Sequence, residues 1–292
     1  MGKQWDDDDL RLSVGFADAL LKSHPVHRHD YVELVVVTEG GGIHVVNGVE
    51  HPIAVGDVFV IQGEQTHGFK NLRGIFLWNL AFDPAHALPS RETLMRMPGF
   101  VALFTLEPYR RANETFKNRL RLDGTSMRMA VALIKKAFDE IEERRSGWRE
   151  MSRAIFTELV VFLARRYEGV SCDDDAHMHE IGRVIALMAE RRNEEFTLPF
   201  LADKACMSVN TFLKVFRRMT GHSPIDYLIS LRIEAAKRLL AGSRKSVGEI
   251  AGECGFIDSN YFSRCFRKNA GFSPREFRSH ARNRDRTDPR GA

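Results

Sequence analysis

The sequence predicts an α+β multidomain protein, with a β-rich N-terminal domain, a helical hairpin after it and an all-α C-terminal domain. Three observations support this organisation. Residues 26–83 form short β-type runs between closely spaced turns, the apolar period becomes that of a helix from 127 to about 168, and a nine-residue stretch near the end occurs twice. The length of 292 residues is enough for two domains.

The composition is that of a globular protein whose charge is unevenly distributed. The chain is 43% hydrophobic and 28% charged, and no apolar run approaches the roughly 18 residues that span a bilayer. The start, MGKQWDDDDL, lacks the basic-then-apolar layout of a secretory signal, so we expect a cytoplasmic protein with no membrane partner. Residues 193–292 hold 18 basic and 11 acidic side chains, a net charge of +7, which favours a polyanionic partner there.

The β-rich region is predicted to be an antiparallel sandwich or small barrel within a domain at 1–125. YVELVVVTEG is a strand that the glycines at 40–42 are expected to end. Asn47-Gly48 is a strong hairpin signal, and the chain turns again at Gly56-Asp57. GIFLWNLAF is a further strand.

Two amphipathic helices around a Ser-Gly turn predict a helical hairpin at 126–169. Apolar residues recur at helical spacing on each helix, at Met127, Val131, Ile134, Phe138 and Ile141, and at Met151, Ile155, Leu159 and Leu163. These faces either pack on the β domain or form a subunit interface, and we favour a homodimer. The polar stretch at 170–178 is predicted to be a linker.

The duplicated stretch is FRRMTGHSP at 216–224 and FRKNAGFSP at 266–274. Alignment on these segments extends the repeat to about 40 residues, with one extra residue in the second copy's turn. Each copy is predicted to be a helix, a tight turn and a second helix. Ser208 caps the second helix of copy one, and Asp258 or Ser259 caps that of copy two. Tyr261 is expected on the apolar face of that helix, with Phe262, Cys265 and Phe266.

A helix-turn-helix places the N-terminal residues of its second helix against base edges in the DNA major groove. The residues expected to read bases are Val209, Asn210, Leu213, Lys214, Ser259, Asn260, Ser263 and Arg264. Those expected to bind phosphates are Ser208, Arg217, Arg218, Arg267 and Lys268. For any one of them, a solvated helix face is the competing interpretation. The helix between the copies, about 27 Å for 18 residues, would set the two recognition helices in successive grooves of double-stranded DNA.

The segment 180–279 resembles the DNA-binding domain of the AraC/XylS family of bacterial transcription regulators. It follows the order LA…S…F…FRR…G.SP.DYL…R…A…LL…EIA…GF…NYF.R.FRK..GFSP..FR, and departs from it only slightly, at Asn269-Ala270. The resemblance implies a DNA-binding domain at 179–280, RNA polymerase as a partner and no enzymatic activity. The tail at 281–292 lacks an apolar pattern and is expected to be disordered.

The stretch HRHDYVELVVVTEG has the H-x-H-x3-E-x6-G spacing of the first cupin motif, which implies a cupin-like β-barrel. The second motif is partial, because Gln62 and Glu64 replace its usual Pro and Gly. In metal cupins the residues matching His27, His29, Glu33 and His67 converge on one divalent transition metal.

Three interpretations of this polar cluster remain open: a metal site, a metal-free effector pocket, and a structural role. We favour the metal-free pocket, without a cofactor. The segment GIHVVNG with GD.F.I…….H resembles the sugar-responsive, rhamnose-regulator-like branch of the family, which implies a sugar effector and activation of carbohydrate-catabolic genes. The residues expected to bind it are His27, His29, Glu33, His67, Trp78 and Asn79. Since neighbours on a strand point to opposite faces, only one of Trp78 and Asn79 is expected in the pocket. The alternatives are a metal-dependent cupin enzyme fused to a DNA-binding domain and an effector-independent DNA binder.

Overall fold

A computed structural model describes the chain at residues 5, 7, 9–17, 23–89, 91–114, 119–168 and 176–287. The chain divides into two compact units, unit 1 at Met1–Ala186 and unit 2 at Leu187–Ala292. No helix among the described residues is long and apolar enough to cross a membrane.

The described residues of unit 1 contain a seven-stranded antiparallel sheet, which confirms the predicted antiparallel β-rich domain. Its strands in the described residues are β1 (Leu12–Ala17), β2 (His24–His27), β3 (Val32–Val46), β4 (Val49–Ala54), β5 (Asp57–Ile61), β6 (His67–Phe82) and β7 (Leu120–Arg121). The order across the sheet is β1-β6-β3-β5-β7, while β2 also pairs with β6 and β4 with β3. The long strands β3 and β6 therefore form the centre of the sheet.

Strand β3 corrects one expectation, because it continues through the glycines at 40–42 instead of ending there. The register with β6 shifts three times between Val37 and Ile43, so irregular pairing absorbs the glycines without stopping the strand. Gly40 has φ +64°, and a Cβ there would lie 2.3 Å from the carbonyl oxygen of Arg73. The glycine thus allows the backbones of β3 and β6 to lie close together where β3 bends.

The hairpin between β3 and β4 is confirmed. Asn47 and Gly48 have φ values of +46° and +85°, and Val46 pairs with Val49 across the turn. Two positive φ angles at the central residues are the requirement of a type I′ turn. Strand β1 was not foreseen from the sequence, although its whole length pairs with β6.

The central part of the sheet, in β5 and the adjoining parts of β3 and β6, is buried on both faces, and alternate residues of these strands face different layers. Val35, Phe59 and Leu77 belong to the apolar cluster on one face. On the other face the ring of Phe82 packs 4.9 Å from that of Phe156 in the helical layer. This alternation decides which predicted pocket residues can reach the same cavity.

The helices that end within unit 1 lie after β6. They are α1 (Pro84–Ala87), α2 (Arg91–Leu94), α3 (Pro98–Val101), a π-helical segment (Ala102–Leu106), α4 (Glu107–Asn113), α5 (Gly124–Glu143) and α6 (Trp148–Glu168). Helices α5 and α6 lie where the period change placed a hairpin. The buried residues of α5 are Ser126, Ala130, Ile134, Ala137 and Ile141, so the stripe is offset from the predicted one and Met127, Val131 and Phe138 are only half-buried.

Two predicted boundaries are corrected. Helix α7 (Ala176–Glu190) begins inside the predicted linker at 170–178, and Met178 is buried, so 176–178 are helical. The rest of that linker lies outside the described residues. Helix α13 (Pro274–Thr287) enters the tail at 281–292 that was expected to be disordered, and 288–292 lie outside the described residues.

Unit 2 is helical in its described residues, as predicted. Its helices are the end of α7, α8 (Leu198–Lys204), α9 (Val209–Thr220), α10 (Pro224–Gly242), α11 (Val247–Glu253), α12 (Ser259–Ala270) and α13. Ile233, Ala236 and Leu240 of α10 share a core with Phe262 and Phe266 of α12, so the connecting helix also supports the second copy of the repeat.

Candidate functional site

Unit 1 contains a cavity of about 820 Å³ within the sheet. Its lining residues come from β1, β2, β3, β6 and the segment before β3: Ser13, Val14, Gly15, Phe16, Ala17, His24, His27, Tyr31, Glu33, His67, Phe69, Leu77, Asn79 and Ala81. A volume between about 300 and 1,000 Å³ with mixed apolar and polar walls is typical of small-molecule sites.

The predicted polar cluster assembles at this cavity. The Nε2 atoms of His29 and His67 lie 3.0 Å apart, and each is within 4 Å of a carboxylate oxygen of Glu33, at 3.6 and 3.8 Å. Asn79 donates from Nδ2 to the other oxygen of Glu33 at 3.0 Å. His29, Glu33 and His67 are all buried, so their hydrogen bonds are formed in a poorly solvated environment.

The charge states follow from burial and hydrogen bonding. Burial lowers the pKa of His67 to about 4 against the opposing influence of Glu33, so this imidazole is neutral at pH 7. Burial alone would raise the pKa of Glu33, but the interaction with His29 and the hydrogen bond from Asn79 lower it overall, so the carboxyl group is ionised. The cavity thus combines a carboxylate with a neutral imidazole.

Backbone carbonyls fix the orientation of two histidines. Nδ1 of His29 lies 2.8 Å from the carbonyl oxygen of Tyr31, and Nδ1 of His27 lies 3.1 Å from that of Pro25. A carbonyl only accepts, so each Nδ1 carries the proton and each neutral ring presents an Nε2 lone pair. His67 then donates from Nε2 to His29, which leaves the buried Nδ1 of His67 as an acceptor without a partner among the described residues.

The structure separates Trp78 from Asn79, as strand alternation predicted. Asn79 lines the cavity, whereas Trp78 does not and packs against Phe16, Phe76 and Phe138 on the opposite face. Trp78 is therefore removed from the predicted effector-binding set, because odd and even positions of β6 face different layers.

Several lining residues were missed from the sequence. Tyr31 stacks on His29 with ring centroids 3.9 Å apart, and Phe69 supplies aromatic wall, whereas Phe16 borders the cavity from β1 with its ring packed against Trp78. Tyr31 stands two residues from both His29 and Glu33, a spacing that places it on the same side of an extended segment. Phe16 had no comparable signal, because strand β1 itself was not foreseen.

In unit 2, both copies of the repeat form a helix-turn-helix whose second helix is locally capped. Ser208 accepts from the N–H of Thr211 at 3.3 Å, and Asp258 accepts from the N–H groups of Asn260 and Tyr261 at 2.6 and 3.2 Å. Ser246 and Glu249 form the predicted capping box at the start of α11. The two recognition helices, α9 and α12, therefore begin at the positions that the sequence indicated.

The predicted base readers and phosphate binders lie on the accessible sides of α9 and α12. Asn210, Lys214, Ser259, Asn260 and Arg264 are exposed, as are Ser208, Arg217, Arg218, Arg267 and Lys268. Val209, Leu213 and Ser263 are half-buried. The hydroxyl of Ser263 donates to the carbonyl oxygen of Ser259 at 2.9 Å, so it retains only an acceptor role toward a base.

Tyr261 corrects the assignment of the apolar face of α12. Its side chain is 42% exposed and its ring lies 5.9 Å from the guanidinium carbon of Arg264. Alignment of the copies places Thr211 at the same position, and that residue is also exposed. The polar counterpart was the signal that Tyr261 lies outside the core.

The spacing between the recognition helices is set by α10. Its 19 residues correspond to a length of roughly 28 Å, close to the value expected from the sequence. The helix begins at Ser223, which accepts from the N–H of Asp226 at 3.2 Å, and follows Gly221, which ends α9 with φ +76°. One DNA turn rises about 34 Å, so a connector of this length suits two helices in successive grooves.

Comparison with known proteins finds a matching family for each of the two units. Residues 201–280 match a helix-turn-helix domain family, and residues 12–160 match the family described as AraC-like ligand binding domain. The chain is 30% identical over 277 residues to the HTH-type transcriptional activator RhaR of Escherichia coli O139:H28, a match that covers 93% of this chain and 94% of the relative. RhaR of Shigella flexneri serotype 5b is 29% identical over the same coverage.

Among solved structures, the chain is similar to the DNA-binding domain of AdpA in complex with a target DNA, at 38% identity and a TM-score of 0.36. That match covers 38% of this chain and 98% of the other. Apo ToxT from Vibrio cholerae matches at 15% identity over 92% of this chain and 97% of the other, with a TM-score of 0.36. The ligand-binding match at 12–160, the helix-turn-helix match and the RhaR relatives show that this chain belongs to the AraC family of DNA-binding transcription regulators.

Proposed function

We propose that the chain is a sugar-responsive transcription activator whose unit 1 cavity binds the effector. The observation that carries this proposal is a cavity of about 820 Å³ whose wall combines the hydrogen-bonding side chains of His27, Glu33 and Asn79 with aromatic rings. The RhaR relatives are named transcriptional activators, which supports activation, and carbohydrate-catabolic genes are the proposed targets.

The chemistry of the wall favours a neutral sugar over a sugar acid. Glu33 is ionised, and the lining residues that the structure describes include neither a lysine nor an arginine, so an anionic effector would meet repulsion from Glu33 without a compensating cation among them. Carboxylate and imidazole acceptors suit hydroxyl donors. Tyr31 and Phe69 provide ring surface for the apolar face of a pyranose.

A thermal-shift screen of the full chain against neutral sugars and sugar acids, with and without EDTA, tests this proposal. A ligand that binds only the folded state raises the midpoint by mass action. We expect a neutral sugar to do so, and Asn79→Ala to abolish the shift. Trp78→Phe is the matched control, since that residue neighbours Asn79 but lies on the other face. Equal shifts in the wild type and Asn79→Ala would contradict the proposed pocket.

At the DNA end, we propose that a homodimer of the chain presents α9 and α12 to successive major grooves and contacts RNA polymerase in the cytoplasm. We propose the predicted base readers and phosphate binders as its DNA contacts. Arg264 and Asn260 are the strongest base readers, because arginine pairs with guanine and asparagine with adenine through two hydrogen bonds each. The effector changes regulation by binding one arrangement of the dimer more tightly than another. Sedimentation with and without a sugar hit tests the dimer.

A divalent transition metal is a second candidate ligand of the same cavity, and one specific observation favours it. Nitrogen atoms of His27, His29 and His67 all lie within 4.8 Å of one another. His27 and His29 each direct Nδ1–H to a backbone carbonyl, the outer contact that orients metal-binding imidazoles. These three residues would hold a zinc, iron, nickel or manganese ion, with Glu33 beside them, and the ion would supply a positive centre for a ligand oxygen. Even then we propose a regulator and not an enzyme, since the relatives are named as regulators.

Elemental analysis of the purified full chain distinguishes the two candidates. A metal-holding site predicts about one ion per chain, lost in His29→Ala and retained in His24→Ala, whose ring is adjacent but outside the three-histidine group. A metal-free pocket predicts no ion at stoichiometric level and a sugar response that EDTA does not change. Loss of both ion and sugar response on EDTA treatment would make the metal part of the effector site.

A further inference from the structure

The turn of the second helix-turn-helix contains one residue that has no counterpart in the first. Backbone hydrogen bonds fix the correspondence, since Met207 donates to the carbonyl oxygen of Ala202 at 3.0 Å and Phe256 donates to that of Ala251 at 2.9 Å. Met207 is followed directly by the N-cap Ser208, whereas Ile257 separates Phe256 from the N-cap Asp258. The inserted residue is therefore Ile257.

Ile257 contributes almost nothing to the core of unit 2. Its side chain is 91% exposed, while its neighbour Phe256 is 5% exposed and belongs to that core. An isoleucine left in water gains none of the stabilisation that burial of its apolar surface would give. Folding therefore does not explain its position, and the neighbouring residues decide what its side chain can contact.

The location of Ile257 indicates what its side chain can contact. It directly precedes the N-cap Asp258 of the recognition helix α12, whose first turns carry a stripe of exposed side chains at helical spacing, Asn260, Tyr261 and Arg264. This stripe includes two of the proposed base readers. The N-terminal end of a recognition helix is the part that enters the major groove.

We propose that Ile257 is a specificity-determining residue that packs against the C5-methyl group of a thymine at the edge of the site read by α12. The thymine methyl is the apolar feature of the major groove, and aliphatic side chains recognise it by contact. This inference rests on the proposed role of α12 as a recognition helix. It adds a base preference that the polar base readers do not supply.

The test uses the full-length protein and double-stranded DNA sites selected from a random pool. Each thymine of the selected site is replaced in turn by deoxyuridine, which removes only the methyl group. We expect one replacement to weaken wild-type binding about three- to tenfold, the range for burial of roughly one methyl group. Ile257→Ala should bind the thymine and uracil forms of that site equally.

Phe272→Ala is the matched control. Phe272 is also an exposed apolar residue, 48% exposed, but it lies beyond the opposite end of α12, a helix of 12 residues and roughly 18 Å. This variant should keep the wild-type sensitivity to uracil. Because both side chains are exposed, neither substitution removes a core contact.

The outcomes separate the inference from the function on which it rests. Identical uracil sensitivity of wild type and Ile257→Ala at every thymine overturns the contact while leaving DNA recognition intact. Unchanged DNA binding of Ile257→Ala with lost activation of RNA polymerase in vitro also overturns it and makes Ile257 a protein-docking residue. Failure of the wild type to select any site overturns the role of α12 together with the inference.

Discussion

Gly255 offers a direct test of how the second helix-turn-helix is held. It occupies the turn between α11 and α12 with φ +86°, and a Cβ there would lie 2.8 Å from Cα of Asn193 and 2.9 Å from the carbonyl oxygen of Arg192. Both contacts are with backbone, which cannot move aside as a flexible side chain does. Gly271, at the end of α12, has φ +77° with nothing within 4 Å of the corresponding Cβ. The pair Gly255→Ala and Gly271→Ala therefore separates backbone strain from steric overlap.

The expected losses of unfolding free energy differ by the cost of steric overlap, which applies to Gly255→Ala only. A left-handed conformation costs a non-glycine residue about 1–2 kcal/mol, which applies to both variants. Forcing a methyl group into a filled space adds about 1–3 kcal/mol. The carbonyl of Arg192 also accepts from Nε of Arg232 at 2.6 Å, so displacing it weakens a hydrogen bond of about 1 kcal/mol. We expect a loss of about 3–5 kcal/mol for Gly255→Ala and about 1–2 kcal/mol for Gly271→Ala.

Urea unfolding of the full chain, followed by circular dichroism at the helix band, measures both losses. The three tryptophans, Trp5, Trp78 and Trp148, all lie in unit 1, so their fluorescence reports that unit separately and should be unchanged. Operator affinity should fall more for Gly255→Ala, because the turn sets the entry of α12. Equal losses for the two variants would refute the reasoning, since the backbone at 192–193 would then impose no constraint on the turn.

Three further outcomes follow from buried and exposed polar groups. His44 is fully buried between the rings of Phe59 and Phe69, and neither ring nitrogen has a partner among the described residues. His44→Phe should therefore stabilise unit 1 by about 1 kcal/mol, measured by urea unfolding at pH 7.5 with tryptophan fluorescence. A loss of stability of that size would indicate that His44 has a hydrogen-bond partner. Burial, and then the charge of Arg111, lower the pKa of His51 to about 4, so the unfolded chain binds a proton below pH 6.5 that the folded chain does not, and His51 should account for about 3 kcal/mol of the stability that unit 1 loses between pH 6.5 and 4. Burial also lowers the pKa values of His67 and His44, so His51→Gln should reduce the slope by the share of His51 and leave theirs. Arg264→Ala should lose about 1–3 kcal/mol of discrimination between operator variants. Arg267→Ala should instead weaken binding to all DNA sequences nearly equally and reduce the salt dependence of binding. If Arg264→Ala weakened binding to all operator variants equally, Arg264 would be removed from the base readers.

The helix ends of unit 2 were predictable because their determinants are local. Ser208, Ser246 and Gly221 act on backbone groups within four residues, so the sequence alone indicates their roles. The Asn47-Gly48 hairpin was predictable for the same reason, because its two positive φ angles depend on the identity of these two residues alone. Strand alternation likewise anticipated that only one of Trp78 and Asn79 reaches the cavity.

The errors arose where distant partners decide the outcome. Strand β1 pairs along its length with β6, 60 to 70 residues away, and its six residues are a short run on their own. Strand β3 was expected to end at its glycines, but its pairing with β6 continues past them through shifted register. Tyr261 was placed in the core because an aromatic residue at helical spacing resembles a buried one. Phe256 and Phe262 fill the core beside it and leave it outside, as its polar counterpart Thr211 in the first copy indicates.

The two copies of the repeat share a backbone plan but are not equivalent, and this difference has consequences for DNA recognition. The left-handed turn position is Cys206 in the first copy, with φ +55°, and Gly255 in the second, with φ +86°. Gly255 adopts the left-handed conformation without the cost that a side chain would add, and it lets the turn lie close to the backbone at 192–193. The second copy alone also carries the inserted Ile257. Identical half-sites would need identical turns, since the turn sets how each helix enters its groove. A protein with two different turns is therefore expected to read two different sequences one helical turn apart, and the contact proposed for Ile257 predicts that the thymine-dependent sequence is the one read by α12.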